Sequence, residues 1–315
     1  MKPRFRNSCV FLALYLALLS PIKAVHAEAI WYPLPKEAYQ FGKKYPEAQA
    51  LLFAFDYGHA LVYERLLLNR GKIIAPEKFE KAILREILEI LKHPPVVKVD
   101  EADIAPNYVF TFPLTLHLFD WSHLLHQFVL DVLATSQDRD AGMIARVNEL
   151  FGQYKANTTI AITDQCKTML FMDGHYFSKA FRRNFPSFNL LIWSYHWFQI
   201  KLYEALMHPL AIDRDQGVSE TVRQFRDLIS DLPDSADFDM MPSTTKEAPI
   251  FSQTFPHLAP AFDNNHMLHD IVSDLLTSAL VSQEKLRSEG FKFSRMAQDP
   301  EAFRSAQCSW NTKEK

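Results

Sequence analysis

Glycine is scarce in this chain: eight residues in 315, none of them in a GxGxxG or GxxxxGK[ST] arrangement. The backbone loops that cradle a pyrophosphate are therefore absent, which disfavours nucleotide cofactors. Cysteine is scarcer still, limited to Cys9, Cys166 and Cys308, with no CxxC or Cys-His zinc spacing. A disulfide between Cys166 and Cys308 and two separate thiols are both open readings, because spacing alone does not bring two cysteines together. There is no long basic run with interleaved aromatics, and a formal charge of −3 gives no bulk attraction to a phosphate backbone. Nucleic acid is not an expected partner. Alternating β-branched stretches are thin as well, which counts against sheet. What remains is a chain with 48% hydrophobic residues, enough to bury one large core or two smaller ones.

The N-terminus has the three regions of a secretory signal. Lys2, Arg4 and Arg6 precede the apolar run CVFLALYLALLS, and AVHA sets small residues before a cleavage point after Ala27. About 12 apolar residues fall short of the roughly 20 that a spanning helix needs. Residues 1–27 are expected to be removed, leaving a periplasmic or secreted protein with no stable membrane span.

The mature sequence repeats itself. TFPLTLHLFDWSHLLHQFVLDVL at 111–133 returns at 254–276 as TFPHLAPAFDNNHMLHDIVSDLL, an offset of 143. FGKKYPEAQALLFAFDYGHALVYERL at 41–66 likewise lies over FRRNFPSFNLLIWSYHWFQIKLYEAL at 181–206, an offset of 140. Between these blocks, FEKAILREILEIL and VSETVRQFRDLISDL are amphipathic at helical spacing. Pro46, Pro113, Pro186 and Pro256 sit ahead of the apolar runs, where a missing N–H costs least. Each copy therefore reads as helices A, B and C. The expected fold is all-α, an internally duplicated helical bundle with a pseudo-twofold four-helix core of A and C helices and the B helices outside. Its parts are a first repeat at 38–140, an inter-repeat linker at 141–177 with a further helical segment at 141–156, a second repeat at 178–283 and a C-terminal tail at 284–315.

Charge is missing where it would be most expected. From Pro113 to Ala134, and again from Pro256 to Gln283, there is no Lys, Arg or Glu. Solvated helix faces normally recruit those residues. At 100° per residue, Asp120, His123, Gln127 and Asp131 share one arc of helix C, with His126 at its edge. Asp263, His266, Asp270 and Asp274 do the same in the second copy, with His269 at the edge. Helix A places Asp56, His59 and Tyr63 together, and its counterpart His196, Gln199 and Tyr203. A plain solvated face is one reading of these arcs, and a metal-free Asp–His network is another. Yet Asp56 lies in a helix apolar almost all round, and the A and C segments contain no Lys or Arg in their apolar cores to pair with it. Imidazoles and metal are left as its partners.

Spacing favours metal. Asp-x-x-His occurs at Asp56/His59, Asp120/His123 and Asp263/His266, and i,i+3 sets both side chains on one face. The fourth equivalent pair is His196/Gln199. The expected ligands are Asp56, His59, Asp120, His123, His196, Asp263 and His266, with His126, His269, Gln199, Tyr63 and Tyr203 around them as supporting groups or extra ligands. Architecture and ligand logic are similar to those of ferritin-like dinuclear carboxylate proteins, but the motif differs, with Asp in place of Glu. Three aspartates against two divalent cations leave about one positive charge for a bridging anion. Mixed imidazole and carboxylate donors suit Fe, with Mn or Zn as alternatives. The functional expectation is an exported dinuclear non-haem iron or Fe/Mn oxidoreductase that uses oxygen or peroxide on a small-molecule substrate. The alternatives are a non-enzymatic metal-binding or interaction protein and a metal-dependent phosphoester hydrolase. No catalytic residue or oligomeric state is assigned.

Overall fold

The computed structural model describes residues 39–230, 232, 240–306 and 308. The signal-peptide reading of 1–27 lies outside the described residues. Proline punctuates the helices: Pro46, Pro76, Pro106, Pro113, Pro186 and Pro249 each open one at its first turn, where the ring fixes φ and removes an N–H that has no acceptor anyway. Pro256 differs. Its helix starts two residues later, at Leu258.

The described residues form fifteen α-helices, 73% helix, with no strands. This is the all-α class the periodicity predicts. In chain order they are α1 (Gln40–Lys44), α2 (Pro46–Asn69), α3 (Pro76–Lys92), α4 (Glu101–Ile104), α5 (Pro106–Thr111), α6 (Pro113–Thr135) and α7 (Ala141–Ala156). The second half of the chain contains α8 (Leu170–Asp173), α9 (Ala180–Asn184), α10 (Pro186–Leu206), α11 (Ala211–Ser230), α12 (Thr244–Glu247), α13 (Pro249–Thr254), α14 (Leu258–Thr277) and α15 (Leu286–Gln298). The A helices are α2 and α10, the B helices α3 and α11, and the C helices α6 and α14. Among the described residues no helix is long and apolar enough to cross a membrane.

Four helices make the centre. Helix α2 packs against both α10 and α14, and α6 packs against the same two. Each A helix thus lies against the C helix of the other half, so the halves interlock. Every residue of α14 from Leu258 to Leu276 is buried, which rules out a solvated face there. The B helices are amphipathic, with Ile83, Leu84, Ile87 and Leu91 of α3 and Val218, Val222, Phe225 and Ile229 of α11 turned inward.

Matched positions of the two halves make matched hydrogen bonds. Asp131 Oδ1 accepts from the Phe41 N–H at 2.8 Å, and Asp274 Oδ1 accepts from the Phe181 N–H at 2.8 Å. Both carboxylates satisfy donors at the start of a short helix, where no intrahelical acceptor exists. The Glu64 carboxylate accepts from the N–H groups of Asn107 and Tyr108, and that of Glu204 from Ile250 and Phe251. These four acids are caps for α1, α9, α5 and α13.

The tail contains α15, whose Leu286, Phe293 and Ala297 are buried. It packs against α6 and α14. Cys166 and Cys308 are joined in a disulfide that spans 142 residues of sequence and ties the inter-repeat linker to the chain beyond α15.

Candidate metal centre

Six histidines meet where the four core helices cross. His59 comes from α2, His123 and His126 from α6, His196 from α10, and His266 and His269 from α14, and all six are buried. Neighbouring ring centroids lie 4.0 Å apart for His196–His266, 5.0 Å for His59–His269 and 5.6 Å for His123–His269. Phenylalanines clamp the group from both sides: Phe119 stacks on His269 at 3.8 Å and Phe262 on His126 at 3.7 Å. The clamp also pairs matched positions of the two halves.

Desolvation keeps these rings neutral. Burial, followed by the neighbouring His123, lowers His59 to about 3 and His266 also to about 3. Burial lowers His123 to about 4 despite the nearby Asp56 carboxylate. His126, His196 and His269 are held well below the ordinary imidazole range by burial and then by neighbouring imidazoles of the cluster, chiefly His266 for the first two and His59 for the third. A neutral imidazole has one lone-pair nitrogen available to a cation.

Several ring nitrogens have a partner that fixes the tautomer. His59 Nδ1 lies 3.3 Å from the Phe55 carbonyl and His269 Nδ1 lies 3.0 Å from the Asn265 carbonyl, so each donates its proton there. His266 Nε2 pairs with Gln199 Oε1 at 3.3 Å, and His126 Nδ1 with the Tyr203 hydroxyl. The Tyr63 hydroxyl donates to the His269 carbonyl at 3.1 Å. Seven nitrogens of the cluster have no hydrogen-bond partner: Nε2 of His59 and His126, both nitrogens of His123 and His196, and Nδ1 of His266.

The aspartates part company. Asp56 faces the cluster, with Oδ1 3.5 Å from His123 Nδ1, while its Oδ2 pairs with Lys98 Nζ at 3.0 Å. Burial alone would raise the Asp56 carboxyl, but the Lys98 ammonium and then His123 outweigh it and hold it low. The sequence reading that Asp56 has only imidazoles and metal to turn to is thereby corrected. Lys98 comes from the connection between helices B and C, outside the A and C segments, and it is 3% exposed against 12% for Asp56. Asp120 belongs with this ion pair: burial pushes it up to about 6 against the pull of Lys98, with Asp56 adding to the rise. Glu101, half-buried at the edge of the group, is pushed well up by desolvation and by Asp120. Asp263 accepts from the N–H of Thr244 at 2.8 Å and from its hydroxyl at 2.7 Å, which commits that oxygen to the start of α12. Burial raises Asp263 to about 7 despite those bonds.

Of the expected ligands, then, Asp56, His59, His123, His196 and His266 come together, Asp120 turns toward Lys98 and Glu101, and Asp263 is a helix cap. His126 and His269 belong in the cluster on equal terms with the others. A cavity of about 20 Å³ opens beside it, lined by Asp56, His123, His126, Gln127 and Gln199. That volume holds one water or ion, since a water needs roughly 10–15 Å³ on the same measure. Among the described residues, no group of three or more His, Cys, Asp or Glu side chains is placed to grip a metal ion as the rotamers stand. The donor chemistry fits a transition metal, and turning the rings about their side-chain torsions is what loading would require. No protein-family model, curated protein or solved structure matches the chain.

Proposed function

We propose that this chain is an exported helical bundle, built by duplication of one helical unit, that holds a non-haem iron ion at the cavity between Asp56, His123 and His126 and reacts there with oxygen or peroxide. The observation that carries the reading is a cavity of ion size lined by His123 and His126, which between them supply three of the seven unpartnered ring nitrogens of the cluster. A buried polar group without a partner costs about 1–3 kcal/mol, so seven of them weigh on the order of ten kcal/mol, comparable with the whole stability of a domain. Coordination by a metal removes part of that cost. Two imidazoles and one carboxylate with free positions is a donor set suited to Fe(II). Gln199, also on the cavity wall, is a weak ligand and leaves room for an exogenous one.

Charge supports a cation there. Asp56, Asp120 and Glu101 interact with the ammonium of Lys98. Burial pushes the Glu101 carboxyl toward its neutral form, so Asp56 and Asp120, when ionised, leave one negative charge over, which favours a cation nearby. Iron at this position would supply one-electron chemistry toward oxygen or peroxide. The chain's own contribution is to exclude water, fix the ring planes through Phe119 and Phe262, and set the Tyr203 hydroxyl against His126.

The size of the cavity also favours a second reading, in which the centre stores or carries metal without turnover. Nothing larger than a small inorganic molecule fits, and the phosphoester alternative finds no room for its substrate. Export is supported by the three-part pattern of residues 1–27 and by the Cys166–Cys308 disulfide, a bond that persists in oxidising compartments. Duplication is supported by the paired caps at Asp131/Asp274 and Glu64/Glu204.

Metal analysis of protein purified without an affinity tag, followed by anaerobic Fe(II) loading and exposure to oxygen, tests these readings. The expected result is iron bound by the wild type and by His175→Ala, a histidine outside the cluster whose Nε2 lies 2.7 Å from the Phe171 carbonyl, and lost in His123→Ala and His126→Ala, with continuing oxygen consumption when reductant is present. Oxidation that stops after one event favours storage. Full iron content in both cluster variants, or none in the wild type, overturns the proposal.

A further inference from the structure

A second cavity, of about 500 Å³, opens at the end of the bundle where α2 and α14 both stop, and none of the six histidines lines it. Its size falls within the roughly 300–1,000 Å³ of small-molecule sites. Leu66 of α2, Ile73 of the loop that follows, Phe185 ahead of α10, and Leu276 and Val281 at and beyond the end of α14 give it apolar walls. These residues come from both halves of the chain, so only the assembled bundle creates it. The mouth is apolar too. Ile74, flanked by the lining residues Ile73 and Pro76, is 98% exposed, and Leu280, flanked by Ala279 and Val281, is 70% exposed.

One residue of the lining is charged, and it is a cation. Arg70, half-buried, donates from Nη1 to the carbonyls of Leu275 and Leu276 and from Nη2 to those of Ser278 and Val281. These bonds close the C-terminus of α14, where the last carbonyls have no intrahelical donor, and hold the guanidinium in one place. They do not neutralise it. No acidic residue lines the cavity, and burial lowers the Arg70 guanidinium with no carboxylate acting on it to offset the shift. The dipole of α14 supplies roughly half a negative charge at this end, and arginine keeps its proton at neutral pH. A net positive charge is left, fixed and partly desolvated. Its Nε–H has no acceptor among the described residues, and Thr277 in the same wall has a hydroxyl without a partner.

We propose that this cavity binds a small organic anion of the carboxylic acid class, with its carboxylate toward Arg70 and an apolar body against Ile73, Phe185 and Val281. The body would reach the mouth and cover Ile74 and Leu280, which gain the burial they lack in the free chain. A neutral ligand would strip water from the guanidinium and return no opposite charge, whereas a carboxylate accepts from it in a charge-assisted hydrogen bond. A purely hydrophilic anion would leave the apolar walls unused. Both parts of the ligand are therefore specified.

Calorimetric titration of the full chain with decanoate, below the concentration at which the acid forms micelles, tests this, with decanol as the neutral counterpart. The expected result is one equivalent of decanoate, with decanol bound about tenfold more weakly or worse. Ile73→Glu, which sets a like charge in the wall from an exposed loop, should weaken decanoate by about tenfold or more. Ile212→Glu, at an exposed position near the start of α11, should leave it unchanged. Arg70→Lys should retain decanoate binding that Arg70→Gln loses. Circular dichroism of each variant checks that it is folded. Decanol bound as tightly as decanoate, Ile73→Glu binding like the wild type, or no saturable binding of decanoate overturns the inference. If the Arg70 variants unfold because the cap on α14 is lost, the decanoate-to-decanol ratio and Ile73→Glu decide alone.

Discussion

Where the first half has Asp56, Lys98, Glu101 and Asp120, the matching positions of the second half, 140 or 143 residues on, have His196, Met241, Thr244 and Asp263. The bundle thus has an ionic group on one side and a largely neutral one on the other. In the first half a buried carboxylate is stabilised by an ammonium brought in from a connecting segment. In the second the corresponding lysine is a methionine in the core, and the remaining aspartate is satisfied by a threonine hydroxyl and a helix N-terminus. Burial of charge here is a local solution and not a demand of the fold. The centre inherits the asymmetry, since only the first half offers it a carboxylate.

Removing the cation from the ionic half should have the largest effect. Lys98→Met leaves Asp56 and Asp120 without a counter-charge and should cost about 3–5 kcal/mol in urea unfolding of the metal-free protein. Converting the first half to the second half's residues, with Asp56→His added to Lys98→Met, should restore at least half of that loss. Additive costs in the double-mutant cycle would show that the two side chains do not stabilise each other.

The neutral half should respond to pH instead. Asp263 has its carboxyl raised from 3.8 to about 7 by burial. The folded state then binds a proton that the unfolded state releases, so this group's contribution to stability is full below the unfolded value and is lost as pH rises through the folded one. Asp263→Asn keeps an acceptor for Thr244 and cannot ionise. Its stability relative to wild type should improve as pH rises from 3.8 to about 7, by up to roughly 1.4 kcal/mol per pH unit. A difference that is flat with pH would remove the argument that Asp263 is protonated in the fold.

The flanking helices sharpen the comparison with smaller effects. A Cβ at Gly290 of α15 would overlap the Phe112 ring, while one at Gly152 of α7 meets nothing within 4 Å. Gly290→Ala should destabilise by about 1–3 kcal/mol through overpacking, and Gly152→Ala should stabilise by about 0.4–1 kcal/mol by restricting the unfolded chain. Thermal unfolding of the two variants side by side checks both signs.

Much of the fold and part of the site were legible in the sequence because helical spacing projects directly onto contacts. The missing Lys, Arg and Glu in α6 and α14 announced burial, and Asp-x-x-His spacing put His123 and His266 on inward faces. Lys98 was not legible: it lies 42 residues from Asp56, in a valine-flanked connection with no helical period to give its direction. His126 and His269 sat at the edge of the arcs drawn on a helical wheel, and Phe262 and Phe119, stacking from the opposite half, are what bring them inward. The capping role of Asp263 was hidden for a related reason. Its donor, Thr244, lies nineteen residues upstream at the start of α12, a helix of four residues too short to show periodicity.

The interlocked core also governs when the protein becomes a protein. The core-facing side of α2 is covered by α10 and α14, so the first half cannot close its centre until residues near 277 have been made. Contacts that distant in sequence are slow to form, and they cannot form at all while the partner is still on the ribosome. A nascent chain with this topology stays open until α14 has been made.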